Sequence, residues 1–221
     1  MADDDIKCEV LTDEAIKYDL TFKMIIIGDS GVGKSSLTLK ATKNKFDDFY
    51  NATVGFEFYT FNVKIDDKII KLQIWDTCGQ EIYRSLISSF YKNAAIAMIV
   101  YSIDREDSFK HLEYWINEIK NNSNPSTRII LIGNKVDLEE KRQVSKEDGE
   151  KLTLEHGICD YYETSAKTGF NSQLIFVQSC KILYKDYLKY KELANDPKMV
   201  RVESTDSLPL PSKKKKTGCC S

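Results

Sequence analysis

Residues 28–35 read GDSGVGKS. Their spacing, G-x-x-x-x-G-K-[ST], is that of a glycine-rich turn that aims backbone N–H groups at a phosphate, while the lysine and the hydroxyl reach further phosphate oxygens and Mg²⁺. An apolar run precedes it at residues 22–27 (FKMIII), and residues 35–43 can continue as a helix. Strand, loop and helix thus come in the order the turn needs, and the helix N-terminus adds partial positive charge where phosphates would lie. Ser30, Gly31, Val32, Gly33, Lys34, Ser35 and Ser36 are the expected cradle, with Ser35 also a metal ligand. Alone, the loop says only phosphate and would serve ATP as well as GTP.

Outward from the loop, strands and helices alternate. Residues 56–65 (FEFYTFNVKI) and 68–75 (KIIKLQIW) read as two strands around the two-acid turn Asp66-Asp67, a hairpin that leaves Asp76 at a strand end. Residues 94–101 (AAIAMIVY) and 128–132 (RIILI) are apolar runs of the kind covered on both faces. Between them Phe109, Leu112, Trp115, Ile116 and Ile119 recur at helical spacing, with Asp107 or Ser108 placed to cap the start. Ser145 and Asp148 have the spacing of a capping box, and Gly157 is placed to end that helix in the left-handed conformation. Residues 161–163 read as a short strand, and a last amphipathic helix carries Phe176, Cys180, Leu183 and Tyr187 on one face with Ile175, Ile182 and Leu188 beside it. This order predicts a mostly parallel sheet with helices on both faces and ligands at the carboxyl ends of its strands.

Three further loops fall at such ends. Asp76, in WDTCGQE (residues 75–81), follows an apolar strand, where an acid can hold the water shell of a phosphate-bound Mg²⁺. Gln80 can both donate to and accept from one water molecule, and so orient it in line with a terminal phosphate. In Asn134-Lys135-Val136-Asp137, the Asp137 carboxylate can accept from N1 and N2 of guanine, an edge where adenine offers no such donor pair. The wrong base would leave buried polar groups unpaired. Ser165, Ala166 and Lys167 supply a backbone N–H for the guanine carbonyl oxygen. Four loops in this order on one sheet edge predict a guanine nucleotide site, and Asn134, Asp137 and residues 165–167 disfavour an ATP-dependent kinase or ATPase. Tyr114 and Trp115 read as helix packing, and His111 and His156 as surface or core histidines, because no acid or cysteine accompanies them in a catalytic or metal pattern.

The 221 residues suffice for one well-buried domain plus tails, with 42% hydrophobic residues and a net charge of −2 that gives no general pull toward nucleic acid. No apolar run approaches the roughly 18 residues of a membrane span. The acidic N-terminus, MADDDIKCEVLTDEA, lacks the pattern of a signal peptide, so the globular part is expected to face the cytosol. Residues 1–19 read as an acidic flexible extension with at most a short helix, outside the core, and residues 20–190 as the domain. Residues 191–221 read as a disordered tail ending PSKKKKTGCCS. The six cysteines show no disulfide or zinc spacing. Gly218 stands where the C-a-a-X rule requires cysteine, so ordinary farnesylation is not expected.

The motifs TVGFEF (53–58), KLQIWDT (71–77), EIYRSL (81–86), FYKNA (90–94) and IVYSID (99–104), with two near-terminal cysteines, resemble the Rab family of Ras-like small GTPases over about residues 20–190. The resemblance implies a P-loop NTPase α/β fold, a mostly parallel six-stranded sheet with one antiparallel edge strand. It implies a switch that binds and slowly hydrolyses GTP, recruits effectors in the GTP state and regulates vesicle traffic. It gives Thr53 to the metal beside Ser35, with Asp76 acting through water, Gly79 to the γ-phosphate and Phe46 edge-on to the base, with Lys135 and Lys167 packing their stems along it. Phe58, Trp75 and Phe90 match an effector-facing aromatic trio, Phe90 standing for the usual tyrosine, and Ile82 is apolar where a basic residue is common. Cys219 and Cys220 look like a doubly geranylgeranylated terminus, which with Lys213 to Lys216 meets the two-signal condition for anchoring on the cytoplasmic face of an intracellular membrane, with a cytosolic pool. The implied partners are a guanine nucleotide exchange factor, a GTPase-activating protein, a GDP-dissociation inhibitor, a Rab escort protein and effectors. Cys78 stands where the family usually has alanine and leaves open a nucleotide-locked scaffold with negligible turnover; Gln80 favours turnover.

Overall fold

The computed structural model describes residues 7–12, 17–47, 55–77 and 91–194. Expectations resting on Thr53, Cys78, Gly79, Gln80, Ile82, Phe90, Lys213 to Lys216, Cys219 and Cys220 lie outside these residues. A unit ending at Tyr184 holds the sheet, and a second begins at Lys185, of which the described residues are helical.

Seven strands form one sheet: β1 (Cys8–Leu11), β2 (Leu20–Ile27), β3 (Phe56–Ile65), β4 (Lys68–Thr77), β5 (Ile96–Ser102), β6 (Arg128–Asn134) and β7 (Asp160–Thr164). Their order is β1-β3-β4-β2-β5-β6-β7. Strands β4, β2, β5, β6 and β7 pair in parallel, while β3 runs antiparallel to β4 and β1 antiparallel to β3. Among the described residues the helices are α1 (Lys34–Lys43), α2 (Glu106–Lys110), α3 (Leu112–Asn122), α4 (Lys146–His156) and α5 (Leu174–Ala194), and Val136–Lys141 is a 3₁₀ turn.

Every residue of β5 is buried, as its unbroken apolar run requires of a strand sandwiched between two layers. Ala97, Ile99 and Tyr101 pack with Leu112, Trp115, Ile116 and Ile119 of α3. Ile96, Met98 and Val100 alternate with them, point to the opposite face and are equally buried. The sheet is therefore covered on both faces. The Ser145–Asp148 capping box is present, and Gly157 ends α4 at φ 65°.

Two expectations are corrected. The sheet has seven strands, not six, and the strand that runs against the others, β3, is not at the edge, because β1 pairs along its outer side. Residues 8–11, expected in a flexible extension with at most a short helix, are a strand because β3 offers them unpaired backbone groups over Asn62–Ile65. Glu9 stands opposite Lys64, a favourable cross-strand charge pair, while Cys8 and Val10 share the face of the buried Ile65 and Val63. The partner strand lies some fifty residues away, so the local pattern of CEVL could not announce the pairing.

The second correction concerns the segment after β5. Helix α2 begins at Glu106 with Arg105 as N-cap and no side-chain cap, and α3 follows after His111. Ser108 does not cap: its hydroxyl donates to the Arg105 carbonyl (2.7 Å) and accepts from the Ser102 N–H (3.1 Å), which ties the turn to the strand end. On α5, Ile175, Phe176, Cys180 and Leu183 are buried together with Tyr184, while Leu188 is exposed.

Candidate functional site

Register places the loops side by side. Ile26 of β2 pairs with Asp76 of β4, and Ile27 with Ile99 of β5. Ser102 at the end of β5 pairs with Asn134 at the end of β6, which pairs with Thr164 at the end of β7. The parallel strands thus deliver residues 28–35, Asp76, residues 134–137 and residues 165–167 to one edge.

Residues 28–33 turn through left-handed backbone at Gly28 (φ 136°), Gly31 (φ 78°) and Gly33 (φ 97°). At Gly28 a Cβ would sit 2.1 Å from the Val100 carbonyl oxygen, and at Gly33 2.4 Å from Asn134 Nδ2, so both positions also lack space for a side chain. Helix α1 starts at Lys34 with Gly33 as N-cap, no side-chain cap and no acid in its first turn. The N-terminus of α1 therefore brings its backbone N–H groups and its partial positive charge to the turn, the arrangement that suits an anion. Lys34 is buried, and its Nζ donates to the carbonyls of Gly28 and Asp29 at 2.8 Å each, which holds the ammonium across the mouth of the turn.

Asp76 is fully buried, and neither carboxylate oxygen has a hydrogen-bond partner among the described residues. Burial pushes its pKa up from 3.8 to about 6, and Glu57 adds to the rise; the Ser35 hydroxyl and the Lys34 ammonium pull it back. A buried carboxylate facing a serine hydroxyl, with both oxygens unspent, is a donor set that fits the hydrated shell of a hard divalent cation. Among the described residues no group of three or more His, Cys, Asp or Glu gathers to hold a metal, here or elsewhere. The fit is that of Mg²⁺ held by one acid, hydroxyls and phosphate oxygens rather than by an all-protein cage.

Asn134 joins three of the loops. Its Nδ2 donates to the Val32 carbonyl (2.9 Å), and its Oδ1 accepts from Thr164 Oγ1 (3.1 Å) and the Ala166 N–H (3.4 Å). Lys135, at φ 70°, turns the chain so that Asp137 meets the 165–167 loop, where Ser165 Oγ donates to its carboxylate at 2.5 Å. Ser165 also accepts on Oγ from the Thr168 N–H, which fixes its rotamer. Asp137 and Lys167 are exposed, while burial lowers the Lys135 pKa. Phe46, 36% exposed, lies just past α1, whose end turns left-handed at Asn44. Of the remaining expected residues, Ser30 and Gly31 sit in the turn, while Thr53, Gly79 and Gln80 lie outside the described residues.

On the sheet beyond the site, Phe56 and Phe58 are half-exposed and stack on Trp75 at 5.7 and 5.4 Å, with the Lys23 ammonium 5.0 Å from the indole. The two phenylalanine rings stand outside the core, while Trp75 packs against it.

Sequence reasoning missed the outer support of the glycine turn. Asp29 accepts from Trp115 Nε1 (2.9 Å) and bonds His111 Nδ1 (2.7 Å), and the Ser30 carbonyl accepts from Arg105 Nη1 (2.9 Å). Trp115, expected to serve packing alone, both packs and donates. The one signal available was Asp29 itself: a carboxylate inside a phosphate-binding turn must face outward and needs a donor there.

Among known proteins, the sequence pattern of the Ras family matches residues 23–185. The match spans the glycine turn, Asp76, Asn134 to Asp137 and residues 165–167.

Proposed function

This chain belongs to the Ras family of small GTPases, and we propose that it is a Rab-type member that binds GTP and GDP at the edge described above and regulates vesicle traffic from a membrane surface. One observation carries the nucleotide reading. Asn134 ties the phosphate turn to the loop of Ala166, whose neighbour Ser165 holds Asp137. A base gripped by Asp137 and a phosphate chain gripped by residues 30–36 are therefore parts of one rigid object.

In this reading the N–H groups of Gly31, Gly33, Lys34, Ser35 and Ser36 surround the phosphates, and the Lys34 ammonium neutralises their charge. Asp137 accepts from N1 and N2 of guanine, the Ala166 N–H meets the carbonyl oxygen, and Lys135, Lys167 and Phe46 pack along the ring. Ser35, Thr53 and, through water, Asp76 would hold Mg²⁺, which when bound would offset charge developing on the phosphates. Gln80 orients the attacking water. Gly79 and Thr53 respond to the γ-phosphate, so its loss releases two loops that partners read. Turnover without an activating protein is slow, since a finger arginine supplied in trans is worth on the order of 10³ to 10⁵ in rate.

The Rab assignment draws on the motifs at 53–58, 71–77, 81–86, 90–94 and 99–104. The exposed Phe56 and Phe58 rings, packed on the half-buried Trp75, also support it as an effector-facing patch that the Lys23 cation borders. Prenyl groups on Cys219 and Cys220 with Lys213 to Lys216 supply the membrane, with an escort protein, a GDP-dissociation inhibitor, an exchange factor and an activating protein as partners. The deciding experiment measures GTP, GDP and ATP affinity and single-turnover GTP hydrolysis on the full chain. Expected are tight binding of both guanine nucleotides, weak ATP binding and slow turnover; ATP binding as tight as GTP overturns the reading. Double Cys219→Ser and Cys220→Ser substitution is expected to leave a tagged copy in the cytosol, and persistent membrane pelleting refutes the anchor.

A further inference from the structure

We propose that Arg105 is a positioning residue for the phosphate turn: by holding the Ser30 carbonyl outward, it aims the Gly31 N–H at the nucleotide's phosphates. The inference rests on the nucleotide reading above and adds a residue that reading does not use.

The peptide between Ser30 and Gly31 is planar and trans, so its C=O and N–H point in opposite directions. Arg105 Nη1 donates to the Ser30 oxygen from outside the turn at 2.9 Å. The N–H of the same peptide is thereby turned to the inside, toward the cradle. The hold is needed because Gly31, at φ 78°, adopts positive and negative φ with almost equal ease, and a turn built on three glycines can flip this peptide at little cost. A flip would present a carbonyl oxygen to phosphate oxygens. The approach is close: a Cβ on Gly31 would lie 3.2 Å from Arg105 Nη1.

Arg105 is launched from a fixed base. Its own N–H donates to the Ser102 carbonyl (3.0 Å), and its carbonyl accepts from the Ser108 N–H (3.1 Å) and hydroxyl (2.7 Å). The guanidinium therefore reaches the turn from a segment tied to the end of β5. His111 and Trp115, a few residues on, fix Asp29 from the same side. Residues 105–115 thus form a brace behind residues 29–31, and Arg105 is the member that acts on the backbone. The guanidinium also adds positive charge beside the site.

The test compares Arg105→Ala, Arg105→Met and Arg105→Lys in the full chain. It reads release of a fluorescent GDP analogue in Mg²⁺, the amide proton shift of Gly31 in the GDP complex, and urea unfolding of the nucleotide-free chain. A lost charged hydrogen bond predicts about tenfold faster release for Arg105→Ala, with the Gly31 amide moved upfield and the unfolding midpoint little changed. Arg105→Met keeps the stem without the donor and is expected to match Arg105→Ala, while Arg105→Lys, which restores a donor, returns to within about threefold of the parent. Release within about twofold of the parent in Arg105→Ala with an unmoved Gly31 amide overturns the proposal, and so does Arg105→Met behaving as the parent, since packing would then be the whole role. Failure of the parent chain to bind any guanine nucleotide sinks the underlying reading and this inference with it, a result distinct from normal parent binding with an unaffected variant.

Discussion

Replacing Asp76 by asparagine is expected to stabilise the metal-free, nucleotide-free chain at neutral pH while removing its response to Mg²⁺. The side chain is fully buried and, among the described residues, both its oxygens lack hydrogen-bond partners. Burial lifts its pKa from 3.8 to about 6. At about 1.36 kcal/mol per pH unit, that difference corresponds to about 3 kcal/mol of destabilisation once the group is ionised. The sign follows from proton counting. Between about pH 4 and pH 6 the folded chain holds a proton that the unfolded chain has released, so stability falls as pH rises through this window and stays low above it. Asp76→Asn has nothing to titrate. Its advantage over the parent should be absent near pH 4, grow through the window and reach about 3 kcal/mol above pH 6. The assay is urea unfolding of both chains in chelator at a series of pH values, followed by repetition with Mg²⁺ and GDP, where the parent should gain stability that Asp76→Asn does not. A variant no more stable than the parent at pH 7, or an advantage independent of pH, would refute the account of this carboxylate.

Three further outcomes are expected. Asn134→Ala removes the donor to Val32 and the acceptor of Thr164 and Ala166, and should lower stability by about 2–4 kcal/mol in urea unfolding and accelerate nucleotide release. Asp137→Asn replaces an acceptor-only carboxylate with an amide that can donate, so competition binding should show preference shifting from GTP toward xanthosine triphosphate, whose ring carries a carbonyl in place of the amino group. Ser145→Ala dismantles the capping box of α4 and should cost about 1 kcal/mol of thermal or urea stability, with GTP affinity unchanged because α4 carries no expected site residue.

Elements whose cause is local were legible in the sequence. The glycine turn, the β3–β4 hairpin around Asp66-Asp67, the capping box of α4 and the buried run of β5 each follow from a few adjacent residues, and the structure has them. What escaped had its cause elsewhere in the chain. Strand β1 exists because β3 has an unfilled edge, and nothing in CEVL encodes a partner fifty residues on. Arg105, His111 and Trp115 lie 75, 82 and 86 residues from the atoms they hold. In sequence they were an unremarked cation, a surface or core histidine and a packing aromatic. Ser108 looked like a cap, but the buried end of β5 offered its hydroxyl stronger partners than a helix start does.

The same distinction explains how a soft turn can be selective. Three glycines let residues 28–33 close around a phosphate, but they leave its peptides free to rotate, and a fluctuating cradle spends binding energy on its own ordering. The turn is instead held through its carbonyls: Gly28 and Asp29 by Lys34, Ser30 by Arg105, Val32 by Asn134. Each tie fixes one peptide and so aims the N–H on the other side of it. Two of these ties arise outside the turn, and one of them, Asn134, also holds Thr164 and Ala166. In the proposed function, a wrong base that displaced the 165–167 loop would disturb the Val32–Gly33 peptide through a single side chain. Discrimination at the base and grip on the phosphates would then fail together, a coupling that a phosphate loop alone does not possess.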